Sequence, residues 1–588
     1  MNNLHARRTG LLLAVMMVMS LLSGCGLLKH IEGGAGGTAE LPKRKNYQGD
    51  GYIDMVPFPE MEYTRPDGDA ILKRMDDLIQ ALETRRDRKS DNARTLNALD
   101  AVYGDQYTFM TMQTLAEIHS DLDQTDKSWL EEVRYCDDLS IELSQKYREL
   151  MYACAASAQH DPIEAYLGEG SLDGYEGSYS YPEKLVELQR RESALESDYY
   201  EQYADFVLVY EGEEYEAQDF LNAAYAGDID LAPEAAADYY YGALNDVLAP
   251  IYVELVQVRQ AVAAESGYDS YIEYAYDNNG RDYTPADTED YVAAIRSELV
   301  PLYEAAVENG TYSDAIDTMR AKANRCLNLV ARAADAMGGY QREAMEYMLA
   351  YDLCDVEKSS RKYAGSYEIY LEDYESPFVL VNSEGYIEDA LTIAHEFGHF
   401  TDDFVNYGVG KSIDLNETIS QGMEYLTLFY LDDEDVAGEL ADYKLIDALR
   451  LYAEQGSYNA FEEAVYAENP DTLTVERVNE ISLQVSRDFG LIGGWNDDYY
   501  AKSWVDISHF FEQPFYVISY CASDSAAFQL YEMEQDEKGL GVDTLNDFID
   551  IATEEEFLDV CADCGFTDPL SAETIRGIAE TIRDHFGL

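Results

Sequence analysis

Apolar residues recur at steps of three and four through the first half of the chain. Ile71, Leu72, Met75, Leu78, Ile79 and Leu82 mark one face of an amphipathic helix, and similar spacing returns at Leu115 to Ile118 and Leu139 to Met151. From about Asp69 to Ala350 this pattern predicts a succession of helices. Gly168 to Gly174, Pro182, Pro233 and the Asn278-Asn279-Gly280 turn punctuate it, with no fixed-period repeat and no low-complexity block. Strand-like alternation is scarce. The best strand candidate is Pro377-Phe378-Val379-Leu380-Val381-Asn382, a short apolar run bounded by a proline and a polar turn. The expected fold class is mainly α with a small β-sheet, and 588 residues suffice for one large core or two to three ordinary ones.

The first residues break this pattern. Arg7 and Arg8 precede an apolar run from Leu11 to Leu22, too short and too early for an ordinary spanning helix. The run ends in Leu22-Ser23-Gly24-Cys25, which resembles the lipobox of bacterial lipoproteins. That resemblance implies a signal peptide over residues 1–24 and a diacylglycerol on Cys25, which would become the N-terminus at the outer face of the cell membrane. Gly33 to Gly37 then reads as part of a flexible tether over residues 25–50.

Composition narrows the classes of partner. Lys and Arg number 41 against 116 Asp and Glu, a formal net charge of −75. Nucleic acid and anionic lipid faces repel such a surface, which instead keeps an exported protein soluble. Beyond Cys25 stand Cys136, Cys154, Cys326, Cys354, Cys521, Cys561 and Cys564, an odd set that cannot pair completely within the chain. The lone Cys561-Ala562-Asp563-Cys564 lacks the second pair a zinc site would need, and buried thiols are the expected role for most of these residues. The 50 tyrosines are expected chiefly as half-buried packing residues.

Candidate chemistry is concentrated at His395-Glu396-Phe397-Gly398-His399, an HExxH motif that follows the strand candidate. On a helix, residues four apart lie one turn above each other, so both imidazoles can bind one ion while Glu396 reaches a water beside it. Ile387, Leu391 and Ala394 keep helical spacing into the motif. With eight histidines in the chain, chance is a poor account of it. Gly398 inside a helix costs about 1 kcal/mol relative to Ala, which suggests close approach of a metal or substrate. A catalytic zinc site wants three protein ligands and an open position. Downstream, Asn416 to Glu424 reads as a second helix carrying Glu417 and Glu424 on one side. His30, His119, His160 and His585 occur singly and are read as surface or core residues.

These stretches resemble the thimet oligopeptidase and oligoendopeptidase F family of zinc metallopeptidases. Its HExxH is followed by an E-x-x-S-(Q)-x-x-E segment, matched here by Glu417, Ser420, Gln421 and Glu424. Tyr363 to Tyr367, Pro377 to Asn382 and the segment Trp504 to Phe511, Phe515, Tyr516, Tyr520, Ala526 and Ala527 also resemble the family in order across residues 361–588. Two departures stand out: a shorter gap from His399 to Glu417 than in some members, and Pro514 within the His-to-Tyr spacing. The resemblance implies a helical zincin fold with a small sheet beside the active-site helix and a deep substrate channel. It divides the chain into an N-terminal helical region, 51–300, and a catalytic region, 301–588.

By the same resemblance one zinc per chain is held by His395, His399 and Glu417, with Glu424 supporting a ligand and Glu396 as general base. His509 with Tyr516 or Tyr520 would stabilise the oxyanion, and the strand Phe378 to Val381 would bind substrate by edge pairing. The implied activity is endopeptidase cleavage of oligopeptides. A carboxypeptidase or dipeptidyl-carboxypeptidase of the same architecture is the alternative enzyme. A non-catalytic peptide-binding lipoprotein is the alternative outside enzymology, and it leaves the motif unexplained.

Overall fold

The computed structural model describes residues 43–45, 53 and 55–588, apart from 169, 173, 176–182, 205, 216, 493–495 and 554. The Leu22-Ser23-Gly24-Cys25 sequence and Gly33 to Gly37 lie outside the described residues, but within the expected tether Arg44 is buried and donates to Glu375 O, so the span 25–50 is not a free linker throughout. The chain is mainly helical with small sheets, as the hydrophobic pattern predicts. It forms two compact units. One takes Lys184–Met345 with Ser383–Leu588, and the other the described residues up to Glu183 with Glu346–Asn382.

The unit that begins the chain is built on the helices Gly68–Thr84, Lys89–Leu122 and Lys127–Ala156. Asp67 caps the first, its carboxylate accepting the Ala70 N–H at 3.1 Å, which satisfies a donor that the helix cannot. Ile71, Met75, Leu78 and Leu82 are buried together with Leu139, Leu143 and Leu150, so the three-four spacing does mark the core face. His119 lies against Trp129 with ring centroids 4.6 Å apart, and burial lowers its pKa to about 4. It is a core aromatic.

The three-stranded sheet of this unit overturns one expectation. Ser376–Val381 is its middle strand, parallel to Cys354–Asp355 on one side and antiparallel to Ser366–Leu371 on the other. Every residue of the strand is buried. Its backbone edges are already paired, so a peptide cannot add to Phe378 to Val381 by edge pairing. An uninterrupted apolar run is the pattern of a strand covered on both faces, which favours the centre of a sheet over its rim.

The other unit surrounds long helices, Pro233–Ser266, Glu434–Tyr466 and Ile518–Asp536. Pro233 occupies the first turn, where its missing N–H costs nothing, and Gly267 ends the helix in the left-handed conformation. Pro233–Ser266 is long and apolar enough to cross a membrane by length and composition. Its Leu244, Leu248, Tyr252 and Leu255 are buried within the unit, which makes it a core helix. The pattern missed a hairpin, Leu208–Tyr210 with Glu213–Tyr215, whose turn places Glu211 and Gly212 at positive φ. Strands this short carry too few alternating residues to register. The cysteines of the described residues are free thiols, and Cys136, Cys154, Cys326, Cys521 and Cys561 are buried.

Candidate metal centre

The HExxH sequence lies on the helix Asp389–Asn406. The loop before it is folded back by Asp389, whose carboxylate accepts the N–H groups of Glu384, Gly385 and Tyr386 at 2.8, 2.9 and 3.2 Å. Such a loop fixes where the helix starts and therefore which face His395 and His399 share. The next helix is Ile413–Thr427, reached through residues 407–412. Lys411 ties this short connection to the first helix through a 2.6 Å ion pair with Asp402, both side chains buried. The shorter gap between His399 and Glu417 is thus closed by a buried charge pair.

Gly398 is explained by neither metal nor substrate. A Cβ at that position would sit 2.6 Å from Ser420 Cα and 3.1 Å from Ile419 O, so the glycine is required by the close crossing of the two helices. This crossing brings Glu417 and Glu424 to the histidines. Ligand atoms of His395, His399 and Glu417 all lie within 4.8 Å of one another. Glu417 Oε2 is 3.4 Å from His395 Nε2 and accepts a 3.3 Å hydrogen bond from Ser420 Oγ.

One turn pair farther along, Glu424 Oε1 lies 2.8 Å from His395 Nδ1. A carboxylate there makes Nδ1 the protonated nitrogen and leaves Nε2 to face Glu417 and His399. Glu424 is itself held by Lys444 Nζ at 2.9 Å, and Lys444 lies 3.7 Å from Asp524, which accepts the Tyr425 hydroxyl at 3.1 Å. Neither Lys444 nor Asp524 carries a sequence signal. Each sits on a long helix far from the motif, and only packing brings it near.

The titration behaviour follows from burial against these pairings. Burial disfavours the charged form of His395, but hydrogen bonds to Glu417 and Glu424 outweigh it and raise its pKa. Burial takes His399 down to about 4. Glu417 is also buried, yet the hydrogen bond and charge of His395 bring it to about 2. Glu396 has no such compensation sufficient to offset burial, which raises it to about 7. A carboxylate, a neutral imidazole and a second imidazole oriented through Nδ1 are the donor set of a three-ligand zinc site with one open position, so these residues fit the metal.

His509 lies on the short helix Ser508–Glu512, Tyr516 in the connection that follows, and Tyr520 in the first turn of Ile518–Asp536. The three rings form one cluster, with His509 5.7 Å from Tyr516 and 6.4 Å from Tyr520 between centroids. The ring centroids of Tyr516 and Tyr520 are 5.4 Å apart. Gln421, on the helix of Glu417, donates to Tyr520 O at 3.4 Å. Burial raises both tyrosines, and the charge of Glu417 adds to the rise in each, whereas Glu396 acts on Tyr520. Burial lowers the pKa of His509 by disfavouring its charged form.

Comparison with known proteins adds an independent line. The peptidase M3 N-terminal domain matches residues 58–179, and peptidase family M3 matches residues 311–579. No curated protein sequence matches the chain significantly. Among solved structures, the fold is similar to one described as oligoendopeptidase F, with a TM-score of 0.71 at 20% identity over 91% of this chain and 99% of that one. It is also similar to PZ peptidase A in complex with an inhibitor, with a TM-score of 0.70 at 20% identity over 90% and 99% of the two chains. An oligoendopeptidase F structure from Bacillus anthracis str. Ames gives 0.67 at 20% identity over 91% and 98%.

The helix crossing makes a prediction. Ala is the better helix former by about 1 kcal/mol, yet its Cβ at position 398 would press on backbone that cannot rotate away. Gly398→Ala is expected to destabilise the protein by about 1–3 kcal/mol, the usual cost of overpacking, and to weaken metal binding as Glu417 is displaced from His395. Thermal unfolding and zinc titration measure both; an unchanged midpoint with unchanged affinity would mean that the crossing yields easily.

Proposed function

The chain belongs to peptidase family M3, and from that premise we propose that it is a zinc-dependent endopeptidase of short oligopeptides, anchored outside the cell by a lipid on Cys25. The observation that carries the catalytic reading is the convergence of His395, His399 and Glu417, with Glu424 bonded to His395 Nδ1. Zinc held by those three residues would supply Lewis acidity and a bound water of lowered pKa.

The chain's own groups do the rest. Glu396, buried beside the ligands, accepts the proton of the attacking water and passes it to the departing amine. A negative charge develops on the former carbonyl oxygen as the tetrahedral state forms. His509 with the hydroxyl of Tyr516 or Tyr520 would donate to that charge. Burial raises both tyrosines and disfavours the charged form of His509, which suits these groups to act as neutral donors. Glu424 and Lys444 keep His395 in the tautomer that presents Nε2. The endopeptidase specificity is supported by the likeness to oligoendopeptidase F structures, and extracytoplasmic anchoring by Arg7, Arg8, the apolar run and the Leu-Ser-Gly-Cys order.

Three outcomes are expected. The purified protein should hold about one zinc per chain and lose peptide cleavage on chelation, while Glu396→Gln retains the metal and loses several orders of magnitude in turnover. Metal analysis and cleavage of a fluorogenic peptide check this, and full activity in Glu396→Gln would refute the base. His509→Ala and Tyr520→Phe should each lower kcat by roughly 100-fold or more with zinc content intact, the usual cost of one oxyanion donor. Near-wild-type kcat in both, and in Tyr516→Phe, would reduce this segment to core packing. In its host the protein should label with a fatty-acid precursor and partition into membranes, and Cys25→Ala should abolish both; unlabelled protein free in the medium would remove the anchor.

A further inference from the structure

We propose that Arg281 and Glu462 are positioning residues that hold the main chain of Phe515, and with it Tyr516 and Tyr520, in the geometry used by the reaction. The inference rests on the role assigned above to the His509–Tyr520 segment.

Phe515 lies in the connection between the helices Ser508–Glu512 and Ile518–Asp536, with φ at 63°. A bulky residue in the left-handed region persists only where its surroundings over-determine it. Here both of its main-chain polar groups are taken by buried or partly buried polar side chains; burial raises Glu462 to about 8, which does not affect its acceptor role. The Phe515 N–H donates to Glu462 Oε2 at 2.9 Å, and its carbonyl accepts from Arg281 Nη2. The same Nη2 donates to Ser519 Oγ at 2.9 Å, on the first turn of the following helix. The turn then closes locally, with Tyr516 N–H donating to Gln513 O at 3.1 Å and Tyr520 N–H to Val517 O at 3.2 Å. A backbone rotation at Phe515 would therefore redirect Tyr516 at once and Tyr520 through the start of the helix.

Packing alone accounts for neither side chain. Glu462 is fully buried in the helix Glu434–Tyr466, and its Oε1 has no hydrogen-bond partner. A leucine would fill that space without the cost of burying a polar group, so the contact a leucine cannot make, the Phe515 N–H, accounts for the acid. Arg281 likewise leaves Nε and Nη1 without hydrogen-bond partners and directs its polar contacts through Nη2 to the segment. Its guanidinium stacks 4.5 Å from the Tyr276 ring and 5.5 Å from Tyr283. The Tyr283 hydroxyl donates to Asp414 at 3.2 Å, on the helix that carries Glu417. The arginine thus links the tyrosine segment to the helix of a zinc ligand. At the other end of the segment, Arg259 donates to the carbonyls of Phe510 (2.9 Å) and Phe511, which holds the helix of His509.

The test uses the zinc-loaded protein and a fluorogenic oligopeptide. Arg281→Met and Glu462→Leu are expected to lower kcat by about 10- to 100-fold, the scale set by a misplaced catalytic group, with KM and zinc content unchanged. Glu462→Gln, which keeps an acceptor for the Phe515 N–H, is expected to recover most of the loss seen with Leu. Because Arg281 acts through the tyrosines, Arg281→Met combined with Tyr520→Phe should be no slower than the slower single variant. Losses that multiply would overturn the proposal, since that is what a general loss of stability produces. So would wild-type kcat in Arg281→Met and Glu462→Leu while His509→Ala and Tyr520→Phe are impaired, a result that leaves the oxyanion assignment standing. Full activity in His509→Ala and both tyrosine variants would instead remove the assignment on which the proposal rests. Should Arg281→Met fail to fold, Arg281→Lys keeps the charge but cannot reproduce the planar fork, and the same kcat-only loss is expected, with wild-type kcat overturning the proposal.

Discussion

Where Gly398 meets Ser420, two helices approach closely enough that a single added carbon would collide with backbone. That approach allows a carboxylate on the second helix to reach His395 Nε2 and another, two turns on, to reach His395 Nδ1. A wider separation would leave the histidines with one ion-binding nitrogen each and no third ligand. The site is therefore a property of the packing between helices as much as of the motif, and the glycine is the residue that makes the packing available.

The charges around the centre show how a strongly acidic chain can bury cations where it needs them. Lys444 bridges Glu424 and Asp524, Lys411 pairs with Asp402, and Arg259 spans Glu192, Glu196 and two carbonyls. Isolated, each would pay heavily for leaving water; paired and hydrogen-bonded, each acts as a spacer of defined length. Removal of one partner is costly because it strands the other, so these positions tie chemistry to fold. Lys411 fixes the connection between the two metal-site helices, Lys444 orients a histidine through a carboxylate, and Arg259 anchors the helix of His509.

The sequence alone determined the helical class, the core face of the helix Gly68–Thr84, and His395, His399 and Glu396 as candidate site residues, whereas Glu417 was singled out from Glu424 only by the family resemblance. The former are local matters: a period of 3.6 and a spacing of four residues follow from the geometry of one helix. The strand Ser376–Val381 was also legible as a strand, but its place in the middle of the sheet was not, because pairing partners lie outside the run itself. Tertiary structure decided the rest. That Gly398 serves a helix crossing, that Lys444 and Asp524 stand behind Glu424, and that Arg281 and Glu462 meet at Phe515 all depend on contacts between residues tens to hundreds of positions apart. No periodicity encodes such contacts, since a buried Lys or Glu reads along the chain like any solvated one until the fold removes its water.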